Sequence, residues 1–169
     1  MKRLVMLMML CITAAQTFAD DINVQIEGAI TASACDVDTA SLNKTVDMGE
    51  ATARDYAQPY TNGPRVPFEL KVINCPATIS SVDAVSSGLK DAYDNRAYAN
   101  TGTGSGIALQ VLNTKDGMFM LPGGATITER VDPATRSATF QLAASYTRTS
   151  QVFAPGSFQS AMLVTFTYR

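Results

Sequence analysis

Gln159-Ser160-Ala161-Met162-Leu163-Val164-Thr165-Phe166-Thr167-Tyr168-Arg169 closes the sequence on a strict alternation. Met162, Val164, Phe166 and Tyr168 share one parity, while Leu163, Thr165, Thr167 and Arg169 share the other. A period of two in residues that favour extended backbone predicts a β-strand. Chain termini are usually polar and frayed, so an apolar strand in this position implies a partner.

The same period recurs upstream. Ile22, Val24, Ile26, Gly28 and Ile30 fall on one face of an extended segment, and Asn23, Gln25, Glu27 and Thr31 on the other. Further strands are predicted at 44–48, 66–74, 79–86, 107–113, 138–146 and 161–168. Turn-forming clusters separate them, among them Thr61-Asn62-Gly63-Pro64, Pro122-Gly123-Gly124 and Pro155-Gly156. No long amphipathic helix is apparent, and short strands at this spacing predict one β-sandwich domain.

At the other end, Met1-Lys2-Arg3 precedes an apolar run from Leu4 to Ala15, and Thr17-Phe18-Ala19 supplies small residues at a cleavage site. Residues 1–19 therefore read as a secretory signal cut after Ala19. The run is too short for an ordinary membrane-spanning helix, so no membrane insertion is expected. Cys11 lies within the run, but the Leu10 before it does not suit a lipoprotein cut. Removing Lys2 and Arg3 leaves 11 basic against 15 acidic residues, a net charge of about −4. That balance disfavours nucleic acid and anionic membrane as partners.

The chain of 169 residues contains no His and no Trp, which weakens the expectation of metal or acid–base chemistry. Cys35 and Cys75 remain after maturation and are expected to pair in an oxidising compartment. Closing a loop of that length stabilises a fold by about 4 kcal/mol on the chain-entropy account. Two cysteines without histidine do not make a structural zinc site.

Smaller motifs have plain structural readings. Gly102-Thr103-Gly104-Ser105-Gly106 lacks the Gly-Lys-Ser/Thr ending of a phosphate loop and reads as a flexible strand connection. Asp36 with Asp38, and Asp91 with Asp94, read as solvated turn caps rather than paired catalytic acids. Ser41-Leu42-Asn43-Lys44 and Ser87-Gly88-Leu89-Lys90 match Ser-x-x-Lys, but the companion motifs of a Ser–Lys hydrolase are missing. Asn43-Lys44-Thr45 fits a glycosylation pattern, with little meaning if the producer is bacterial. The expectation is no enzyme, no cofactor and no metal.

The ordered set of Val24 to Ile30, Cys35, Thr45 to Gly49, Val66 to Pro76, Gly106 to Leu112, Phe140 to Tyr146, Gly156 and Tyr168 resembles the pilins of the chaperone–usher pathway. These are the subunits of type 1 and related fimbriae of Gram-negative bacteria, and the resemblance spans nearly all of residues 20–169. It implies an all-β fold: an incomplete immunoglobulin-like sandwich lacking its final strand, with a groove that a partner's strand completes. It also implies a fimbrial subunit that supports cell adhesion. The expected partners are a periplasmic pilus chaperone, an outer-membrane usher and neighbouring pilin subunits of the polymer. The expected location is the cell surface, reached through the periplasm.

Carried over residue by residue, the resemblance makes 20–34 a donor-strand extension and 35–169 the pilin domain. Ile22, Val24, Ile26, Gly28 and Ile30 become the donor residues, Gly28 fitting a shallow or close-packed position. Gly156 becomes the turn into a C-terminal strand in which Met162, Val164, Phe166 and Tyr168 meet the chaperone. Arg169 departs from the pattern, because the family more often ends on an uncharged polar residue. Beside a basic chaperone cleft its charge is unfavourable unless it points to solvent. A single domain with an arm of about fifteen residues resembles a minor adaptor more than a shaft subunit. The alternative reading is a self-sufficient exported sandwich, either a binding module or a hydrolase.

Overall fold

The structure, a computed structural model, describes residues 34–169. The predicted signal and the donor residues Ile22, Val24, Ile26, Gly28 and Ile30 lie outside the described residues. Seven strands follow one another: β1 (Asp36–Val37), β2 (Val66–Ile73), β3 (Ser81–Gly88), β4 (Ile107–Asn113), β5 (Thr126–Arg130), β6 (Ala138–Arg148) and β7 (Met162–Tyr168). They form two sheets, one ordered β1-β2-β6-β4 and the other β5-β3-β7. Every pairing is antiparallel. None of the described residues forms a helix long and apolar enough to cross a membrane.

Alternation drives the packing of the two sheets. Leu70, Val72, Leu109, Val111, Phe140 and Leu142 from one sheet meet Val82, Ala84 and Ile127 from the other in a shared buried core. Removing such side chains from water is the main stabilising term, at about 1.5–3 kcal/mol for each large one. Cys35 and Cys75 are joined by a disulfide and both are buried, so the start of the domain is tied to the end of β2.

Three expectations need correction. The predicted strand at 44–48 keeps its alternation, with Val46 and Met48 half-buried and Thr45 and Asp47 exposed, but no neighbour forms a ladder with it. A strand is defined by its partner as much as by its pattern. Conversely, β1 and β5 were not anticipated. β1 has two residues, and in Thr126-Ile127-Thr128-Glu129-Arg130 only Ile127 is apolar, so neither leaves a periodic signal.

The glycine-rich segment 102–106 is not a loose connection. Gly104 N–H donates to Ser157 O at 3.0 Å, and Ser105 and Ala154 exchange hydrogen bonds at 3.0 and 3.1 Å. A Cβ on Gly102 would lie 2.2 Å from Ser157 O, and one on Gly156 would lie 2.3 Å from Gly104 N. Glycine is required because two backbones touch, and Gly156 serves that contact without a positive φ. Gly156→Ala is expected to lower the urea midpoint by the equivalent of about 1–3 kcal/mol through overpacking. Gly123→Ala, with nothing within 4 Å, is the neutral control; equal midpoints for both variants would contradict the clasp.

Candidate strand-acceptor site

Among the described residues β7 is hydrogen-bonded along one edge only, to β3. Its inward side chains Met162, Val164, Phe166 and Tyr168 are half-buried, whereas Leu163, Thr165, Thr167 and Arg169 are exposed. In a closed sandwich the inward row would be fully covered. Here the four side chains pack on the core yet stay only half-buried.

Facing β7 is the chain from Asp36 to Gly49, and two contacts fix its direction. At one end Tyr168 lies close to Asp36; burial first, and then the charge of Asp36, holds its hydroxyl above the usual tyrosine pKa. At the other end Tyr146 Oη donates to Gly49 O at 3.1 Å, and its ring meets Phe158 edge-on at 4.7 Å between centroids. The segment 36–49 therefore runs antiparallel to 158–168 across a gap. Val37, Val46 and Met48 line the far wall, Phe68 adds to the half-buried apolar set, and Phe140 stacks against Phe166 at 5.5 Å. A cavity of about 430 Å³ continues the groove at the Phe158 end, lined by Gly49, Tyr146, Phe153 and Phe158 among others.

The result is an apolar slot between two backbone edges that lack ladder partners among the described residues. Such a slot has the shape and chemistry to take one extended chain. The chain would receive hydrogen bonds from the edges and alternate side chains would enter the groove.

Arg169 turns out to be accommodated. Its guanidinium Nη2 pairs with Asp83 Oδ2 at 2.7 Å on the outer face of the sheet, away from the groove. Thr128 Oγ1 donates to the other Asp83 oxygen at 2.7 Å. The Arg169 backbone continues the ladder, its N–H donating to Ser81 O at 2.9 Å and its carbonyl accepting from Ser80 and Ser81 at 2.7 and 3.0 Å.

The remaining candidate residues are structural. Asp91 Oδ1 accepts from the N–H groups of Tyr93 and Asp94 at 2.8 and 3.0 Å, and Asp94 accepts from Arg96 N–H and Gln110 Nε2 at 3.0 and 3.1 Å. They are turn caps, as expected, but buried ones: Gln110 lies on β4, and the loop is folded onto it. Asp38 caps Ala40 at the surface, and Asp36 accepts from Asn74 Nδ2. Ser41 Oγ accepts from Lys71 N–H, a bracing contact. No group of three or more potential metal ligands occurs among the described residues. The sequence did not single out Tyr146 and Phe158, which close one end of the groove. Phe158 shares the parity of Met162 and Phe166, which was the available signal.

An incomplete immunoglobulin-like sandwich with an open strand groove is the architecture of a pilin. The chain belongs to the fimbrial protein family, whose profile matches residues 24–169. Protein FimG of Escherichia coli K12 is 30% identical over 159 residues, covering 94% of this chain and 92% of that protein. The type 1 fimbrial subunit of Salmonella typhimurium is 24% identical over 79% of this chain and 75% of that one. Among solved structures, the P pilus rod subunit PapA superposes with a TM-score of 0.69 at 15% identity, over 80% of this chain and 99% of that chain. The protein is a structural fimbrial subunit, and the alternative of a self-sufficient module gives way.

Tyr56 packs edge-on against Tyr146 at 6.3 Å, and its hydroxyl is also raised, chiefly by burial and then by the charges of Tyr146 and Asp55. Burial, then Asp47, does the same to Tyr146. Folding therefore favours the neutral phenols of Tyr56, Tyr146 and Tyr168. Their contribution is full below the unfolded pKa of about 10 and is lost as pH rises through the higher folded values. The urea midpoint is expected to fall as the pH rises above about 10, and to fall less in Tyr168→Phe. A flat profile in the unsubstituted protein would contradict this.

Proposed function

We propose that this subunit is completed by a strand from another molecule, first a periplasmic chaperone and then the 20–32 arm of a neighbouring subunit. One observation carries the reading: among the described residues, β7 has no ladder partner on its second edge and turns half-buried alternate side chains to an unladdered segment running antiparallel to it. The slot is the shape of a missing strand. In the donated arm Ile22, Val24, Ile26 and Ile30 enter the groove and Gly28 sits where the backbones come close. Four buried branched side chains contribute about 1.5–3 kcal/mol each before ordering costs are subtracted.

The organisation that follows is a signal at 1–19, a donor extension at 20–34 and a pilin domain at 35–169. The subunit crosses the periplasm on its chaperone, is exchanged at an outer-membrane usher, and takes its place in a surface fimbrium that supports adhesion. Because Arg169 already pairs with Asp83 on the outer face, its charge need not oppose a basic chaperone cleft. The arm of fifteen residues before Cys35 favours a minor adaptor position. Strand donation and acceptance account for the whole groove without catalysis.

Two measurements test this. Phe166→Ser combined with Tyr168→Ser is expected to abolish copurification of a chaperone from periplasm; an undiminished yield would overturn the reading. A peptide of residues 20–32 is expected to displace the chaperone and occupy the groove, and Ile26→Asp in that peptide to weaken binding about hundredfold by burying a charge. Equal binding of the two peptides would place the arm elsewhere.

A further inference from the structure

Asp83 is an acid on the central strand of a sheet. It lies on β3, between β5 and β7, and its side chain is 5% exposed. On the outer face it stands in a row with Thr128 on one side and Thr167 on the other. A carboxylate buried there is costly unless both oxygens are bonded and its charge is met. Thr128 Oγ1 supplies one bond at 2.7 Å, and Arg169 Nη2 supplies the other together with the charge, also at 2.7 Å.

The source of that charge is informative. Arg130 stands on β5 in the next row, opposite Ser81, and is exposed. Among the described residues it makes no ion pair. Asp83 is met instead from the residue directly after β7, an arginine whose own side chain is 70% exposed. An exposed guanidinium gains little from pairing, so the value of the contact lies in what it does for Asp83 and for β7. One carboxylate thereby links all three strands of the sheet.

The link falls where β7 needs one. Strand ends fray, and this strand is laddered to β3 on one edge while its second edge has no ladder partner among the described residues. Phe166 and Tyr168, within the last three positions of β7, are two of the four side chains of the acceptor row. If they leave β3, one end of the slot loses its wall. Arg169 has the opposite parity and works from the outer face, so it holds the strand without entering the slot.

We propose that Asp83 is a positioning residue for strand acceptance: through Arg169 it keeps the end of β7 on β3 while the slot is empty. The proposal rests on the strand-acceptance reading above and holds whichever way the incoming chain runs. A chain in the slot ladders β7 from its second edge, and the tie is then redundant. Its loss lowers the fraction of empty subunits ready to receive a strand. Apparent affinity falls by that fraction, through association and not through dissociation.

The test uses the mature chain, residues 20–169, refolded with its disulfide intact and carrying Ile26→Asp in its own arm, so that an added 20–32 peptide is the occupant measured. Asp83→Thr, which continues the row of hydroxyls and buries no charge, is expected to slow peptide association about threefold. Arg169→Ser, which also leaves Asp83 uncompensated, is expected to slow it about tenfold. Combining the two is expected to return the rate to that of Asp83→Thr alone, and Arg169→Lys to stay within about twofold of the unsubstituted chain. Dissociation is expected to be the same in all of them. Asp83→Thr decides the matter even if Arg169→Ser fails to fold. An unchanged association rate in folded Asp83→Thr, or a loss that appears in dissociation, would overturn the positioning role while peptide binding to the unsubstituted chain left strand acceptance standing. Failure of the peptide to bind the unsubstituted chain would overturn both.

Discussion

A β-sheet edge must find hydrogen bonds somewhere, and within the described residues β7 has found them on one side only. Every other feature of the molecule is arranged around that shortfall. β7 supplies half-buried Met162, Val164, Phe166 and Tyr168 to a core that no described strand covers from beyond, so its apolar surface and its second backbone edge lack partners among the described residues at the same place. Either deficiency alone could be relieved by water or by a side chain. Together they call for an extended peptide, which brings backbone donors and acceptors and apolar side chains in one object.

The two ends of the groove are tied by specific contacts. Tyr146 is fixed at one end by Gly49 and Phe158, and β7 is led into position by the backbone clasp of Gly102 and Gly104 against Gly156 and Ser157. At the other end Arg169 and Asp83 hold the last residue of the strand on the outer face. A slot that collapsed on itself would bury its own apolar row and lose the capacity to receive another chain.

Much of this was legible in the sequence because alternation in a half-buried strand survives as a pattern. β2, β3, β4, β6 and β7 all carry it, and Val46 and Met48 carry it too, although they form no ladder. Periodicity reports which side of a strand is apolar; it is silent about whether a neighbour is present. The same silence hid β1, too short to show a period, and β5, where Ile127 is the single apolar residue. The Gly102–Gly106 segment misled for a different reason. Glycine marks both loose chain and places where two backbones touch, and only its position against Ser157 distinguishes them. Asp91 and Asp94 were recognisable as caps, but nothing local announced that Gln110 on a distant strand would bury one of them.

The disulfide has a mechanical meaning in a polymer built this way. Tension passing from one subunit to the next would enter the domain through the residues before Cys35. The strand that follows, Asp36–Val37, pairs through only two residues and could not bear a load. The covalent link from Cys35 to Cys75 diverts that force past β1 to the end of β2, a strand of eight residues laddered to β6 along seven of them. Pulled along its length, such a ladder is loaded in shear, with its hydrogen bonds sharing the force rather than parting one at a time. In a filament joined through those residues the bond between two cysteines would work as a strain relief, passing the pull into a ladder seven pairs long.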